Sequence, residues 1–168
     1  MYRTITDGGL ARSIFYFAYG SNMNPAQMHE RLPHARRVGT GYVDGWEVRE
    51  RKYANIERCR DGRVYGVIYL LTESEVNLLD RYEGYPRVYT CADVRVNANL
   101  GPGVRTSLPC MTYVLTPSAL SWRMNEPYPA EYRRTCSIGA RMNRIPNEYC
   151  LEDDESLISL YKGFSARG

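Results

Sequence analysis

The chain has 168 residues, enough for one domain across residues 1–168, and its 43% apolar and 24% charged content is ordinary for a globular protein. Lys+Arg number 22 against 19 Asp+Glu; a net charge of +3, interleaved with acids as in Trp46–Arg51 (WEVRER), argues for no nucleic-acid partner. No apolar run nears the ~20 residues of a membrane span, the opening MYRTITDGGLARS lacks a signal-peptide core, and five cysteines without Cys-x-x-Cys set aside a disulfide framework or zinc knuckle, so reduced thiols in a cytoplasm are the expectation.

Residues 1–13 read as a loose lead-in. Ile14–Tyr19 (IFYFAY) is a short apolar and aromatic run, read as a buried strand. It stops at Gly20-Ser21-Asn22, and Asn24-Pro25 opens a helix, with Asn as cap and Pro in the first turn, running to about Leu32 before Pro33. Residues 35–58 hold strand-like pieces broken by Gly39, Gly41 and Gly45. Asp61-Gly62, between Tyr53–Cys59 and Arg63–Leu71, signals a hairpin. Val64–Leu71 is the clearest strand.

Thr72-Glu73-Ser74-Glu75 is a capping box that opens a helix to about Tyr82, with Val76 and Leu79 on one face. Glu83-Gly84-Tyr85-Pro86 ends it. Val88–Val96 and Pro109–Thr116 alternate as strands, joined by a turn over Asn99–Arg105. Helical patterning returns from Pro129 to about Asn143, and a short helix is expected near Glu155–Tyr161. This order predicts an α+β fold: a small, mainly antiparallel, barrel-like sheet flanked by helices.

Two segments carry chemistry. At Tyr19-Gly20-Ser21-Asn22 a buried strand gives way to a helix within five residues. Gly20 allows a sharp bend, and successive N–H groups in such a turn can converge on an anion; by themselves the residues slightly favour a plain strand-to-helix turn. Glu83 lies four residues after Leu79, which puts it on the inward face of its helix at the end where the dipole disfavours an anion. Partial burial there would raise its pKa to where it can both accept and return a proton; a solvated acid at a helix end is the plainer alternative. His29 and His34 have the wrong spacing for a zinc helix, with Pro33 between them. Leu151–Ser156 (LEDDES) lacks the glycine of a calcium loop, and no Gly-x-Ser-x-Gly elbow is present.

Phe15–Met23 (FYFAYGSNM), Val64–Tyr69 (VYGVIY), Leu79–Gly84 (LDRYEG) with Tyr89 after it, and Glu131–Tyr149 (EYRRTCSIGARMNRIPNEY) together resemble the γ-glutamylcyclotransferase family, including its AIG2-like branch. The resemblance implies that a γ-glutamyl amide loses its amine as the glutamyl part closes to 5-oxoproline. It implies Glu83 as general base and acid, with Tyr19, Gly20, Ser21 and Asn22 holding the glutamyl carboxylate or reacting carbonyl. Tyr89 and Tyr132 would line the pocket. No metal, nucleotide or other cofactor is called for, and the partner is a small γ-glutamyl molecule. The leaving amine is left open, as is a noncatalytic ligand-binding member of the fold; Ser121–Tyr132 is a guess for the leaving-group surface. Neither the oligomeric state nor a role for the two ends of the chain is read from the sequence.

Overall fold

The computed structural model describes residues 12–121 and 126–146. The expected helix near 155–161, the acidic run 151–156, Tyr149, Cys150 and most of the N-terminal lead-in lie outside the described residues, as do residues 122–125 of the leaving-group segment.

Five strands close into a barrel in the order β1-β3-β2-β4-β5. They are β1 (Ser13–Ala18), β2 (Arg36–Glu50), β3 (Ala54–Thr72), β4 (Tyr89–Gly101) and β5 (Val104–Leu115). Four of the five pairings are antiparallel, and β5 closes onto β1 in parallel with Tyr16 opposite Met111. The expected α+β barrel is therefore the fold. Among the described residues four α-helices accompany it: α1 (Pro25–Arg31), α2 (Glu73–Glu83), α3 (Pro117–Ser121) and α4 (Ala130–Met142). None of the described helices is long and apolar enough to cross a membrane.

Local chemistry fixes the helix ends. Asn24 caps α1, its Oδ1 accepting from the N–H groups of Ala26 (2.9 Å) and Gln27 (3.4 Å), with Pro25 in the first turn. Thr72 and Glu75 form the reciprocal capping box of α2. Gly84 ends α2 in the left-handed region at φ 65°, where a side chain would be strained.

The middle of the chain departs from expectation. The glycines at 39, 41 and 45 do not break residues 35–58 into pieces; β2 runs 15 residues through them, with register slips at Arg37/Gly39 and Asp44/Trp46. Asp61-Gly62 does not make a hairpin. β3 runs 19 residues straight through it, and both flanks pair with β2, Arg63 opposite Asp44 and Arg58 opposite Trp46. The extra residues of β3 are absorbed as a bulge, which bends the long ribbon as a small barrel requires. The turn lies instead at residues 51–53, between the paired Glu50 and Ala54. The β4–β5 turn is shorter than expected, since pairing continues to Gly101 and Val104.

Both faces of β1 are buried. Ile14, Tyr16 and Ala18 pack with Met28, Leu32, Val76, Leu79 and Ala140 from the helices. Phe17 and Tyr19 pack with strand residues such as Val43, Ile56, Val64 and Val96. That is why its sequence is a continuous apolar run rather than an alternating one. Because β1 and β5 run parallel and β4 runs against β5, the end of β1, the end of β5 and the start of β4 meet at one end of the barrel.

Candidate active site

At that end a small cavity opens. Its lining includes Tyr19, Gly20, Ser21, Asn22, Glu83, Tyr89 and Tyr132, so the residues singled out in the sequence converge on one place from β1, α2, β4 and α4. Tyr16, Ala54 and Tyr113 complete the wall.

The turn after β1 begins at Gly20 and forms a single 3₁₀ turn, Ser21–Met23. Gly20 has φ −118° and ψ −139°, and the space beside it is tight. A Cβ at this position would stand 2.9 Å from Ala54 Cβ and 3.0 Å from the Tyr132 hydroxyl. The leading N–H groups of such a turn have no acceptors within it.

Asn22 is almost fully buried, and its side chain is engaged on every side. Its Nδ2 donates to the Tyr16 hydroxyl and to Glu83 Oε1, both at 2.9 Å. Its Oδ1 accepts from Gln27 Nε2 at 3.0 Å and Arg31 Nη1 at 2.9 Å. An amide has two N–H bonds and two lone pairs to offer, so this set saturates it. Asn22 is left with its backbone N–H for a ligand, whereas Ser21 Oγ accepts from Gln27 Nε2 at 2.8 Å and keeps its own proton to donate.

Glu83 sits in the last turn of α2, one turn beyond the fully buried Leu79, and its side chain is 14% exposed. Removal from water pushes its pKa above the ordinary carboxyl value; Arg31 and the Asn22 hydrogen bond pull it down, and Asp80 adds a smaller upward push. Its partners, Asn22 Nδ2 at 2.9 Å and Arg31 Nη1 at 3.3 Å, both reach Oε1. Oε2 has no hydrogen-bond partner among the described residues.

The tyrosine walls are anchored to backbone. The Tyr19 hydroxyl donates to the Tyr113 carbonyl at 2.5 Å and the Tyr89 hydroxyl to the Ala54 carbonyl at 2.6 Å. The Tyr132 hydroxyl accepts from the Ala54 N–H at 3.0 Å. The Tyr113 hydroxyl donates to Asp80 Oδ1 at 2.6 Å. Burial raises the pKa of each of these phenols, so all stay protonated at neutral pH. Among the described residues no group of three or more His, Cys, Asp or Glu is placed to hold a metal ion.

Sequence reasoning missed Gln27 and Arg31. They lie four apart on α1 and grip the turn from behind. Nothing in their spacing points to Glu83, 52 residues further along. It also missed Tyr113 and Ala54, which only the closure of the barrel brings to the cavity.

A closed five-stranded barrel with a buried carboxylate facing a Tyr-Gly-Ser-Asn turn defines a family. Residues 16–134 match the family model described as Gamma-glutamyl cyclotransferase, AIG2-like, and the chain belongs to that family. It is 27% identical over 156 residues to a Mus musculus protein named Gamma-glutamylcyclotransferase, covering 84% of this chain and 78% of that one. The Homo sapiens protein of the same name is 27% identical over 150 residues, covering 82% and 75%. A solved structure described as Gamma-glutamyl cyclotransferase shares the fold at TM-score 0.70 and 22% identity, covering 90% of this chain and 99% of its own.

Proposed function

We propose that this protein is a γ-glutamylcyclotransferase, releasing 5-oxoproline and a free amine from a γ-glutamyl amide. The observation that carries the reading is the Glu83 carboxylate: largely out of water, one oxygen tied down, the other unpartnered, beside the Gly20–Asn22 turn.

The reaction suits so small a site. The α-amine and the γ-carbonyl belong to one molecule, so the protein has only to select the folded-back conformer. The N–H groups of the Gly20–Asn22 turn and the Ser21 hydroxyl hold the substrate carboxylate or support charge growing on the reacting carbonyl. The hydroxyls of Tyr19 and Tyr89 spend their protons on backbone carbonyls, so what they offer the substrate is lone pairs, suited to an α-ammonium. Tyr132 closes the wall.

Glu83 Oε2 takes a proton from the α-ammonium. The freed amine attacks the γ-carbon, the ring C–N bond forms, and the amide C–N bond breaks. The α-nitrogen falls from three hydrogens to one and the departing nitrogen gains two, relayed singly through Glu83. A carboxylate whose pKa burial has raised serves both directions of that transfer.

A panel of γ-glutamyl dipeptides, γ-glutamyl amines and an ε-(γ-glutamyl)lysine isopeptide, assayed for 5-oxoproline, tests the reading and identifies the leaving group. Release from at least one, lost in Glu83→Gln, is expected. Binding of these compounds without release from any would leave the noncatalytic reading in its place.

A further inference from the structure

Arg31 does not line the cavity, yet it touches two residues that do. It extends from the last turn of α1, its side chain 23% exposed. One guanidinium nitrogen, Nη1, reaches Asn22 Oδ1 at 2.9 Å and Glu83 Oε1 at 3.3 Å, and the group lies over the Tyr82 ring, 5.0 Å from its centre. Together with Gln27 Nε2, this nitrogen fixes the amide orientation of Asn22, which in turn aims Nδ2 at the same carboxylate oxygen.

We propose, resting on the reading of Glu83 as the general base, that Arg31 is a positioning residue: it clamps Glu83 Oε1 from behind the cavity and thereby presents Oε2 to the substrate's amine. The geometry gives Arg31 two separable effects. The first is orientation: Glu83 is the last residue of α2, so no later residue of that helix holds its side chain, and Arg31 joins Asn22 on the same oxygen. The second is charge. The groups facing Glu83 are Asp80 on its own helix, Tyr16 from β1, Tyr19 just after it, Tyr89 from β4, Tyr113 from β5 and Tyr132 from α4. The tyrosines are protonated at neutral pH and Asp80 pushes the Glu83 pKa up, so among the described residues Arg31 is the cation that pulls it down. It opposes the effect of burial and favours the ionised form of the base.

The sign follows directly. The working form of the base is the carboxylate. Removing the cation favours the protonated form, so the acid limb of the kcat/KM profile moves to higher pH. An opposite charge at this distance is worth a displacement of about one to three pH units.

The experiment compares wild type, Arg31→Met, Arg31→Lys and Glu83→Gln, using whichever γ-glutamyl compound the panel shows to be turned over. Arg31→Met is expected to lose about tenfold or more in kcat/KM on the acid side, with the deficit shrinking as pH rises. Arg31→Lys, which keeps the charge and loses the planar fork, should restore most of the limb position and only part of the rate. In parallel, the Glu83 carboxyl carbon is titrated by ¹³C NMR in wild type and Arg31→Met, assigned by its loss in Glu83→Gln; its midpoint should rise in Arg31→Met. This readout needs no turnover, and a thermal melt of each variant verifies folding. A uniform loss at every pH with an unmoved limb and an unmoved carbon midpoint would overturn the proposal and leave Arg31 a structural residue. Should Glu83→Gln keep its activity, the reading of Glu83 falls instead, whatever Arg31 does.

Discussion

Gly20 offers the sharpest test of how the site is built, because a side chain there has no room. An added Cβ meets Ala54 Cβ at 2.9 Å and the Tyr132 hydroxyl at 3.0 Å, where carbon atoms prefer roughly 3.5–4.0 Å. Neither neighbour yields cheaply. Ala54 opens β3, is 4% exposed, donates its N–H to Tyr132 and accepts the Tyr89 hydroxyl on its carbonyl. Overpacking of this kind costs about 1–3 kcal/mol. Loss of glycine's freedom in the unfolded chain offsets about 0.4–1 kcal/mol of that. Gly20→Ala should therefore be destabilised by about 1–2 kcal/mol, or about 2–8 °C in Tm for a chain of this size. Gly20→Val, with two further carbons, should fare worse and raise KM for a γ-glutamyl substrate about tenfold or more, since 1.4 kcal/mol of lost binding is already a factor of ten. Thermal melts and Michaelis kinetics on the two variants make the check. A Gly20→Val protein with the wild-type Tm and KM would refute the cradle.

Glu83→Gln should fold normally and lose about 10²- to 10⁴-fold in kcat, as removal of a general base does; steady-state rates of 5-oxoproline release measure it. The same variant reports burial. Folding raises the Glu83 pKa above 4.5, so the native state binds more protons than the unfolded one between that value and the raised one, and stability falls as pH rises through this window. The stability of Glu83→Gln relative to wild type should therefore climb from pH 4 upward and level off above the native pKa; melts across pH 4–8 showing a constant difference would contradict it. Asn22→Ala strips four hydrogen bonds and leaves Glu83 Oε1 to Arg31 alone, so it should cost about 1–3 kcal/mol in denaturant unfolding and depress kcat/KM more than Ser21→Ala does. Gly139→Ala would drive a Cβ to 2.5 Å from the Asn24 backbone nitrogen and 2.6 Å from the Met23 carbonyl carbon; pushing α4 off the turn should lower the unfolding midpoint by an amount worth about 1–3 kcal/mol.

What the sequence by itself determined is local. Short-range chemistry acts within four or five residues, so the Asn24-Pro25 start of α1, the Thr72–Glu75 capping box, the Gly84 stop and the inward side of α2 bearing Leu79 and Glu83 were all legible. The Tyr19–Asn22 turn was legible too, because a continuous apolar strand can end that abruptly only at such residues. Asp61-Gly62 shows the limit. Its turn propensity is real, but a dipeptide cannot say whether its flanks pair with each other or with a third strand. Here both found β2, and the turn chemistry was absorbed as a bulge. The tertiary structure alone decided that Tyr113, Ala54, Gln27 and Arg31 belong with Glu83. Their meeting depends on β5 closing against β1 and on α1 packing beside α2, contacts between segments tens of residues apart. No local period or spacing encodes such contacts; they exist only once the barrel has closed and its end has been roofed by helices.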